Sequence, residues 1–332
     1  MKKLLILGGT NFIGRYLTER LLESSGYEIT LFNRGYTNAH LFPEVNRIYG
    51  DRHTKDINLL ANKKWDVVID ISCYFPDFLE NILRVLQGNV DRYIFISTCS
   101  VYLPDKNNKD LLTENDKILD CSEKEKSDTS FKTYGKRKAE CERVLIRSEW
   151  VDKIIIRPAL VYGRYDDTDR MYYWIYRSKF QDKILTPNYG DNLASYTYIE
   201  DLVNIIIKSI SVKKHFSVYN VTSFPRLSIK EVISSASEIF NRSQKLVSAD
   251  YVFLFNKNIK QWTDIPLWIN GDYYIFDNHA VKNDYNYEFP YLKTTLTDTI
   301  KYYEELNWEF PVAGISLKKE KELISELEAG LN

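Results

Sequence analysis

The sequence predicts an α/β protein, a doubly wound parallel sheet with a smaller, interlocked C-terminal lobe lying over the strand ends. Three observations predict it. Residues 3–7 form a short continuous apolar run that stops at Gly8-Gly9, as a strand buried on both faces of a parallel sheet does. Runs of this kind then alternate with stretches of helical apolar spacing as far as residue 157, which predicts parallel strands joined by right-handed helical crossovers. Beyond residue 163 the pattern loosens, and 332 residues suffice for a large core and a second lobe. Residues 1–163 plus about 195–223 are therefore expected to form the sheet domain, and 164–194 plus 224–332 the lobe, with no linker or internal repeat between them.

The first element sets the chemistry. After the strand at 3–7, Phe12, Ile13, Leu17 and Leu21 recur at helical spacing. Gly8, Gly9 and Gly14 fall where a tight turn, a close phosphate approach and close helix packing each require a missing side chain. The helix N-terminus then presents unpaired N–H groups and a positive dipole end, which suit the pyrophosphate of a dinucleotide. Glycines after a strand also serve as plain turns. Residues 28–32 (EITLF) read as the second strand, and Asn33 stands about 20 residues past the glycines, where the ribose is read. An acid there would favour NAD. Asn33-Arg34 instead removes the carboxylate that would repel a 2′-phosphate and adds a guanidinium able to clamp it, so NADP is the first expectation and NAD the second. The bland alternative is a loop, Asn33-Arg34-Gly35, with a solvated arginine.

Residues 47–50 suggest a third strand with Gly50-Asp51-Arg52 at its C-terminal end, where ligands bind in such sheets. Asp51 there suits an adenine amino group, or an ordinary turn. Residues 66–71 (DVVIDI) read as a buried strand, 78–86 as a crossover helix, and 92–97 (RYIFIS) as a fifth strand running into Thr98-Cys99-Ser100. Residues 105–130, rich in Lys, Asp, Glu and Asn, read as a surface insertion without a core of its own. Residues 131–146 read as a helix on which Tyr134 and Lys138, one turn apart, share a face. Such a pair serves one ligand jointly or stands exposed as an ordinary helix pair. Residues 153–157 (KIIIR) read as a sixth strand, stopped by Pro158. Tyr198-Ile199-Glu200-Asp201 opens a helix to about Ser211, residues 216–221 read as one more strand, and both are expected to return to the sheet.

Composition narrows the classes. With 44% hydrophobic residues, 25 Tyr and 16 Phe, burial can meet the ordering entropy that defeats disordered chains. A formal net charge of −1, spread over 45 basic and 46 acidic residues, gives no global attraction to nucleic acid or to an anionic membrane. Four cysteines (Cys73, Cys99, Cys121, Cys141) lack CxxC spacing, so neither a disulfide framework nor a zinc site is expected and a reducing cytoplasm fits best. His40, His53, His215 and His279 are scattered, and no metal is expected. Lys2-Lys3 ahead of residues 4–7 imitates a signal peptide only briefly, and no run of eighteen apolar residues occurs, so no membrane segment is expected.

Taken together, the motifs resemble those of the extended short-chain dehydrogenase/reductase family, of the NAD-dependent epimerase/dehydratase type. The carriers are Gly8-Gly9-Thr10-Asn11-Phe12-Ile13-Gly14, Gly50-Asp51, the stretch from Ser97 to Tyr102, Tyr134-Gly-Lys-Arg-Lys138 and Arg157-Pro158-Ala-Leu-Val-Tyr-Gly163, in an order and strand context that spans nearly the whole chain. Within that family the chain is similar to a branch of bacterial relatives of chloroplast stem-loop RNA-binding proteins. This narrower likeness rests on Thr30-Leu31-Phe32-Asn33-Arg34-Gly35, Gly50-Asp51-Arg52, Trp262-Thr-Asp-Ile-Pro-Leu-Trp268 and Gly314-Ile-Ser-Leu317.

The resemblance implies a Rossmann domain and assigns roles. Tyr134 becomes acid/base, Lys138 its electrostatic partner and Thr98 the hydroxyl that orients substrate. Gly8, Thr10, Asn11, Phe12, Ile13, Gly14, Asn33, Arg34, Asp51, Arg52, Tyr134, Lys138 and Pro158 become cofactor residues. An ordinary tyrosine titrates near 10, so its phenolate needs nearby positive charge, for which Lys138 and the oxidised nicotinamide are the expected sources. Two departures refine this. Asn11 replaces the middle glycine of the turn and puts a side chain where pyrophosphate approaches, although Asn tolerates left-handed backbone and its amide can donate to phosphate. Cys99 and Ser100 replace the Asp-Glu pair of the dehydratase members, so sugar 4,6-dehydration is not expected. Epimerisation or simple ketone/alcohol oxidoreduction remains, on a small polar substrate such as a nucleotide sugar.

Arg164, Arg170 and Tyr198 are the candidate substrate residues, although either arginine also suits a surface ion pair. The segment from Trp262 to Trp268 is expected to be packing. The helices at 77–87 and 131–146 are those through which the family forms a four-helix homodimer. The competing reading is a non-catalytic or RNA-binding scaffold, in which residues 172–179 (YYWIYRSK) stack bases; at helical spacing such aromatics more often belong to a core.

Overall fold

The computed structural model describes residues 1–105, 110–271 and 273–330. Its first half alternates strand and helix: β1 (Lys2–Leu7), α1 (Phe12–Leu22), β2 (Tyr27–Asn33), β3 (Asn46–Tyr49), β4 (Trp65–Asp70), α2 (Pro76–Leu86), β5 (Val90–Ile96), the short α3 (Glu123–Lys126), α4 (Tyr134–Ile146) and β6 (Asp152–Pro158). Then follow β7 (Leu160–Tyr162), α5 (Arg170–Phe180), β8 (Lys183–Pro187), β9 (Leu193–Tyr198), α6 (Ile199–Ser209), β10 (Phe216–Val221), β11 (Phe224–Ser228) and α7 (Ile229–Phe240). The chain closes with β12 (Lys245–Ala249), α8 (Tyr251–Asn256), α9 (His279–Tyr285), α10 (Leu292–Glu305) and α11 (Leu317–Ala329).

Seven strands pair in parallel in the order β10-β6-β5-β4-β1-β2-β3. Alternation along β1 shows why the apolar run is unbroken. Leu4 and Ile6 pack with Leu17 and Leu21 of α1 and Leu202 of α6, whereas Leu5 and Leu7 pack with Leu79 and Leu83 of α2 and Leu145 of α4. Each such burial contributes roughly 1.5–3 kcal/mol, so a one-residue slip of register would exchange the two faces. The chain leaves β1 for β2 on one side and reaches β4 on the other, and the strand ends at this reversal open a crevice suited to a ligand.

The later residues add a three-stranded sheet, β11-β9-β7, and a parallel pair, β12-β8. Arg177 of α5, fully buried, joins Glu320 of α11 at 2.8 Å and donates to Ile315 O at 2.8 Å, fixing the C-terminal helix on the lobe. In the same helix Tyr172, Tyr173 and Trp174 are 2%, 1% and 0% exposed, so these aromatics are core and offer no face for stacking bases.

The polar insertion departs from expectation. Residues 106–109 of it lie outside the described residues, but Leu112 is buried against Tyr102 and Phe276, and Glu114 Oε1 accepts from Asn220 N at 2.7 Å. It is a strap tied to the end of β10. Its later residues cover α4: Arg143 Nη2 donates to Leu119 O at 2.5 Å and Lys136 Nζ meets Glu125 Oε1 at 2.5 Å. Every residue of α4 before Ile146 is buried or half-buried, and the exposed positions of α2 are Asp77, Glu80 and Arg84. Within the two segments implied in a four-helix dimer, Phe131 and Ile146 are the exposed large apolar side chains.

Candidate functional site

The crevice at the strand ends is a cavity of about 840 Å³ whose floor begins at the glycine turn. Gly8 and Gly9 have φ of +121° and +99°, values that favour glycine. A Cβ on Gly14 would lie 2.7 Å from Gly9 N and 2.9 Å from its Cα, so α1 packs directly on the turn. The Thr18 hydroxyl, buried beneath, lies 3.0 Å from Gly9 O and 2.8 Å from Gly14 O. The first intrahelical bonds run from Gly14 N and Arg15 N to Asn11 O, and ahead of them Phe12 and Ile13 line the cavity. An anion is well served there.

Asn11 behaves differently from the expectation of a left-handed residue. Its backbone is extended at φ −133°, its side chain makes no cap hydrogen bond, and its Nδ2 donates to Asp167 Oδ2 at 2.9 Å. The side chain thus reaches away from the turn to the loop between β7 and α5. Over the same turn, Asn38 Nδ2 donates to Thr10 O at 2.9 Å.

At the second strand, Asn33 is a structural pin. Its Nδ2 donates to Gly8 O at 3.2 Å and its Oδ1 accepts from Gly35 N at 3.0 Å. Arg34 beside it is exposed at the cavity rim, with its guanidinium 5.8 Å over the Tyr36 ring. Asp51 lines the cavity, its Oδ1 accepting from His53 N at 2.9 Å. Arg52 also lines it but is not free to bind phosphate. Its two Nη atoms donate to both oxygens of Asp70 at 2.8 Å, and Tyr93 OH donates to the same carboxylate at 2.6 Å. Burial alone would raise the Asp70 carboxyl, but the Arg52 guanidinium holds it below the usual carboxylate range. Arg52 thus keeps its place in the cavity lining while it neutralises a buried acid under the crevice.

The far end of the cavity gathers Thr98, Ser100, Tyr134, Lys138, Pro158 and Tyr274. Thr98 lies close enough to Tyr134 to lower its phenol, while its Oγ1 donates to Ser100 Oγ at 3.2 Å, and Ser100 Oγ lies 3.1 Å from Tyr274 OH. Lys138 is 2% exposed and donates to Ile96 O at 2.7 Å and Cys73 O at 2.9 Å. Burial lowers its pKa. Tyr134 is driven the other way: burial and then neighbouring Tyr74 raise its phenol, while Thr98, Arg170 and Arg137 pull it down. Lys138 is therefore held by backbone carbonyls at the strand ends, and Arg170 and Arg137 are the cations felt at Tyr134. Cys99 lies behind this surface, buried, its thiol donating to Arg157 O at 3.1 Å.

The three candidate substrate residues separate. Arg170 lines the cavity. Arg164 does not; it pairs with Glu305 at 3.1 Å and lies over Tyr165 and Tyr302. Tyr198 is held in another groove by its hydrogen bond to Asp298. Trp262 is not plain packing, since it lines the cavity under Arg170, whereas Trp268 is 1% exposed in the core. Sequence reasoning missed Asp70, Tyr74, Asp167 and Tyr274. Asp70 ends a strand at the switch point, where a strand-end rule would have found it; Tyr274 lies in an irregular segment with no pattern to read.

Residues 77–222 match the model of the NAD dependent epimerase/dehydratase family, a span that holds Thr98, Tyr134, Lys138 and Pro158 and begins after the glycine turn. The chloroplast stem-loop binding protein of 41 kDa b of Arabidopsis thaliana is 28% identical over 228 residues, which take in 64% of this chain and 56% of that protein. The chain thus matches little more than half the length of that relative. Among solved structures, UDP-glucuronic acid 4-epimerase from Bacillus cereus in complex with NAD aligns with a TM-score of 0.70 at 19% identity, over 92% of this chain and 100% of that one. The dTDP-glucose 4,6-dehydratase from Bacillus anthracis in complex with NAD gives 0.70 at 15% identity, over 92% and 97%. At these identities the likeness establishes the fold, a doubly wound sheet with its second lobe.

Proposed function

Because residues 77–222 match the model of the NAD dependent epimerase/dehydratase family and the chain has the fold of a solved epimerase, we propose that it is an NAD(P)-dependent epimerase or ketone/alcohol oxidoreductase of the extended short-chain dehydrogenase/reductase type, acting on a small polar substrate of the nucleotide-sugar kind. One observation carries this reading: a single cavity is lined by the glycine turn at one end and by Thr98, Tyr134 and Lys138 at the other. The turn's packing without side chains and its uncapped helix N-terminus fit a dinucleotide pyrophosphate. When bound, the nicotinamide cofactor supplies hydride exchange.

The chain's own residues manage position and protons. Thr98 holds a substrate oxygen beside Tyr134, whose hydroxyl gives or takes the proton there. With its pKa raised by burial, Tyr134 rests as the neutral phenol, a proton donor. Lys138 has three N–H donors and spends two on Ile96 O and Cys73 O, leaving one for a ribose hydroxyl. Cys99 and Ser100 place no carboxyl beside Thr98, which argues against 4,6-dehydration. Arg34 at the rim, without an acid at Asn33, favours NADP over NAD. The division of labour proposed is residues 1–163 plus about 195–223 for cofactor, and 164–194 plus 224–332 for substrate. Among the described residues no helix is long and apolar enough to cross a membrane, and a reducing cytoplasm is the proposed location.

The test is calorimetric titration with NADP and NAD alongside turnover of nucleotide sugars. NADP should bind more tightly than NAD, Arg34→Ala should erase that preference, and Tyr134→Phe should lower turnover at least 100-fold while sparing cofactor affinity. Absence of binding by either cofactor would overturn the reading. It would favour the second one, an RNA-binding scaffold, which the name of the Arabidopsis relative motivates; the mark of that role is an affinity for single-stranded RNA that falls steeply with salt.

A further inference from the structure

Arg170 stands in the cavity without an ion pair among the described residues, its charge felt through the bracket at buried Asp166. It is the first residue of α5, half-buried, and its one hydrogen bond among the described residues runs from Nε to Thr168 Oγ1 at 3.0 Å. That hydroxyl donates in turn to Oδ1 of buried Asp166 at 2.6 Å, and the guanidinium carbon lies 4.8 Å over the Trp262 ring. The side chain is therefore held from one edge and one face. Nη1 and Nη2, the pair of donors that grips an oxyanion in two parallel bonds, are left over.

The placement is costly for a merely structural arginine. A cation at the first turn of a helix meets the positive end of its dipole, and half-burial removes part of its hydration. A bound anion removes both costs. The other cations lining the cavity are engaged or remote: Arg52 is neutralised by Asp70, Lys138 is held by two carbonyls, and Arg34 sits at the ribose end. Arg170 is also the arginine whose charge is felt at both Tyr134 and Tyr274.

We propose that Arg170, on its Trp262 platform, anchors a carboxylate or phosphate group of the substrate beside the hydroxyl or carbonyl that Tyr134 serves. This rests on the assignment of Tyr134 and Thr98 to the reacting end. It narrows the substrate to a hydroxylated or keto compound with an anionic group near the reacting carbon, and makes Arg170 the residue that selects it.

The experiment loads the protein with NADP and titrates it with glucuronate, glucose 6-phosphate and neutral methyl glucoside. At least one anionic sugar should bind and methyl glucoside should not. A tighter glucuronate complex identifies a carboxylate ligand, a tighter glucose 6-phosphate complex a phosphate ligand. Arg170→Gln should weaken the anionic ligand by about 10- to 100-fold, as loss of charge-assisted bonds predicts, with NADP affinity unchanged; Arg170→Lys should recover part of the loss. Equal binding of methyl glucoside, no binding of either anion, or no effect of Arg170→Gln overturns the anchor. If NADP binding and Tyr134-dependent turnover persist in those cases, the anchor alone falls; if NADP does not bind, the parent reading falls and the anchor with it.

Discussion

Two loops face each other across the cavity, and both join a strand to a helix. The turn at residues 8–14 between β1 and α1 works by what it lacks: Gly9 and Gly14 let backbone pack on backbone, and the turn is held by its own atoms, by Thr18 and by the nearby amides of Asn33 and Asn38. The bracket at residues 163–170 between β7 and α5 works by what it carries. Tyr165 lies under the Arg15 guanidinium at 3.6 Å, Asp167 takes the Asn11 amide, Asp169 accepts from Val312 N at 3.0 Å, and Arg170 rests on Trp262. One loop is specified locally by sterics. The other is specified by partners up to 156 residues away along the chain, and it tolerates change side chain by side chain.

That difference predicts unequal damage. In Gly14→Ala the new methyl meets Gly9 N and Cα, backbone that cannot step aside, so a loss of about 3 kcal/mol and at least 100-fold in cofactor affinity is expected, read by thermal melts and calorimetry. Asp167→Ala, an exposed change in the bracket that removes one hydrogen bond, should stay within about 1 kcal/mol in stability. Equal losses from the two substitutions would erase the distinction between a backbone-packed turn and a side-chain bracket.

The bracket also holds a titrating group that the turn lacks. Burial pushes the Asp166 carboxyl up to about 6, although Thr168 N and Oγ1 both donate to its Oδ1. A carboxyl raised in the folded state favours folding while neutral. Its contribution is full below the ordinary value of 3.8 and is lost as pH rises through about 6. At pH 7 the ionised form therefore costs about 3 kcal/mol. Asp166→Asn, whose amide oxygen can accept the same two hydrogen bonds, should melt higher than the parent at pH 7 and lose that part of the pH dependence between 4 and 7. A lower melting temperature at pH 7 with the slope intact would show that the carboxylate is needed as an ion.

These loops also explain what could be read from the sequence. The glycine turn, the strand-helix alternation and the Tyr134-Lys138 spacing are local patterns, and the structure brings those residues to one cavity. Arg52 and Lys138 were assigned by motif, but a motif does not report what a charge is already bonded to; Asp70 and the carbonyls of Ile96 and Cys73 are supplied by other strands. The strap at 110–130 reads as surface because its composition is polar, yet Leu112 and hydrogen bonds accepted by Glu114 and Leu119 seat it on the body of the fold. Arg164, Arg170 and Tyr198 had equal standing as chemistry-bearing residues, and only the fold sends Arg164 to Glu305, Tyr198 to Asp298 and Arg170 into the cavity.

The smallest effect tests the link between the two loops. Asn11 is the one residue of the turn that reaches the bracket, and Asn11→Gly restores the glycine the motif favours. Two consequences oppose each other. Removing the side chain clears the pyrophosphate approach, while removing the amide frees the bracket from the turn. The backbone of Asn11 is extended and makes no demand for glycine, and its side chain already points to Asp167, so little is gained by clearing it. The lost hydrogen bond is exposed and is worth about 0.5–1 kcal/mol. Cofactor dissociation in Asn11→Gly should therefore be faster by about three- to fivefold in stopped-flow measurements, with Asp167→Ala giving the same increase and the double substitution adding nothing further. Slower dissociation in the glycine variant would mean that Asn11 obstructs the cofactor and that the two loops close independently.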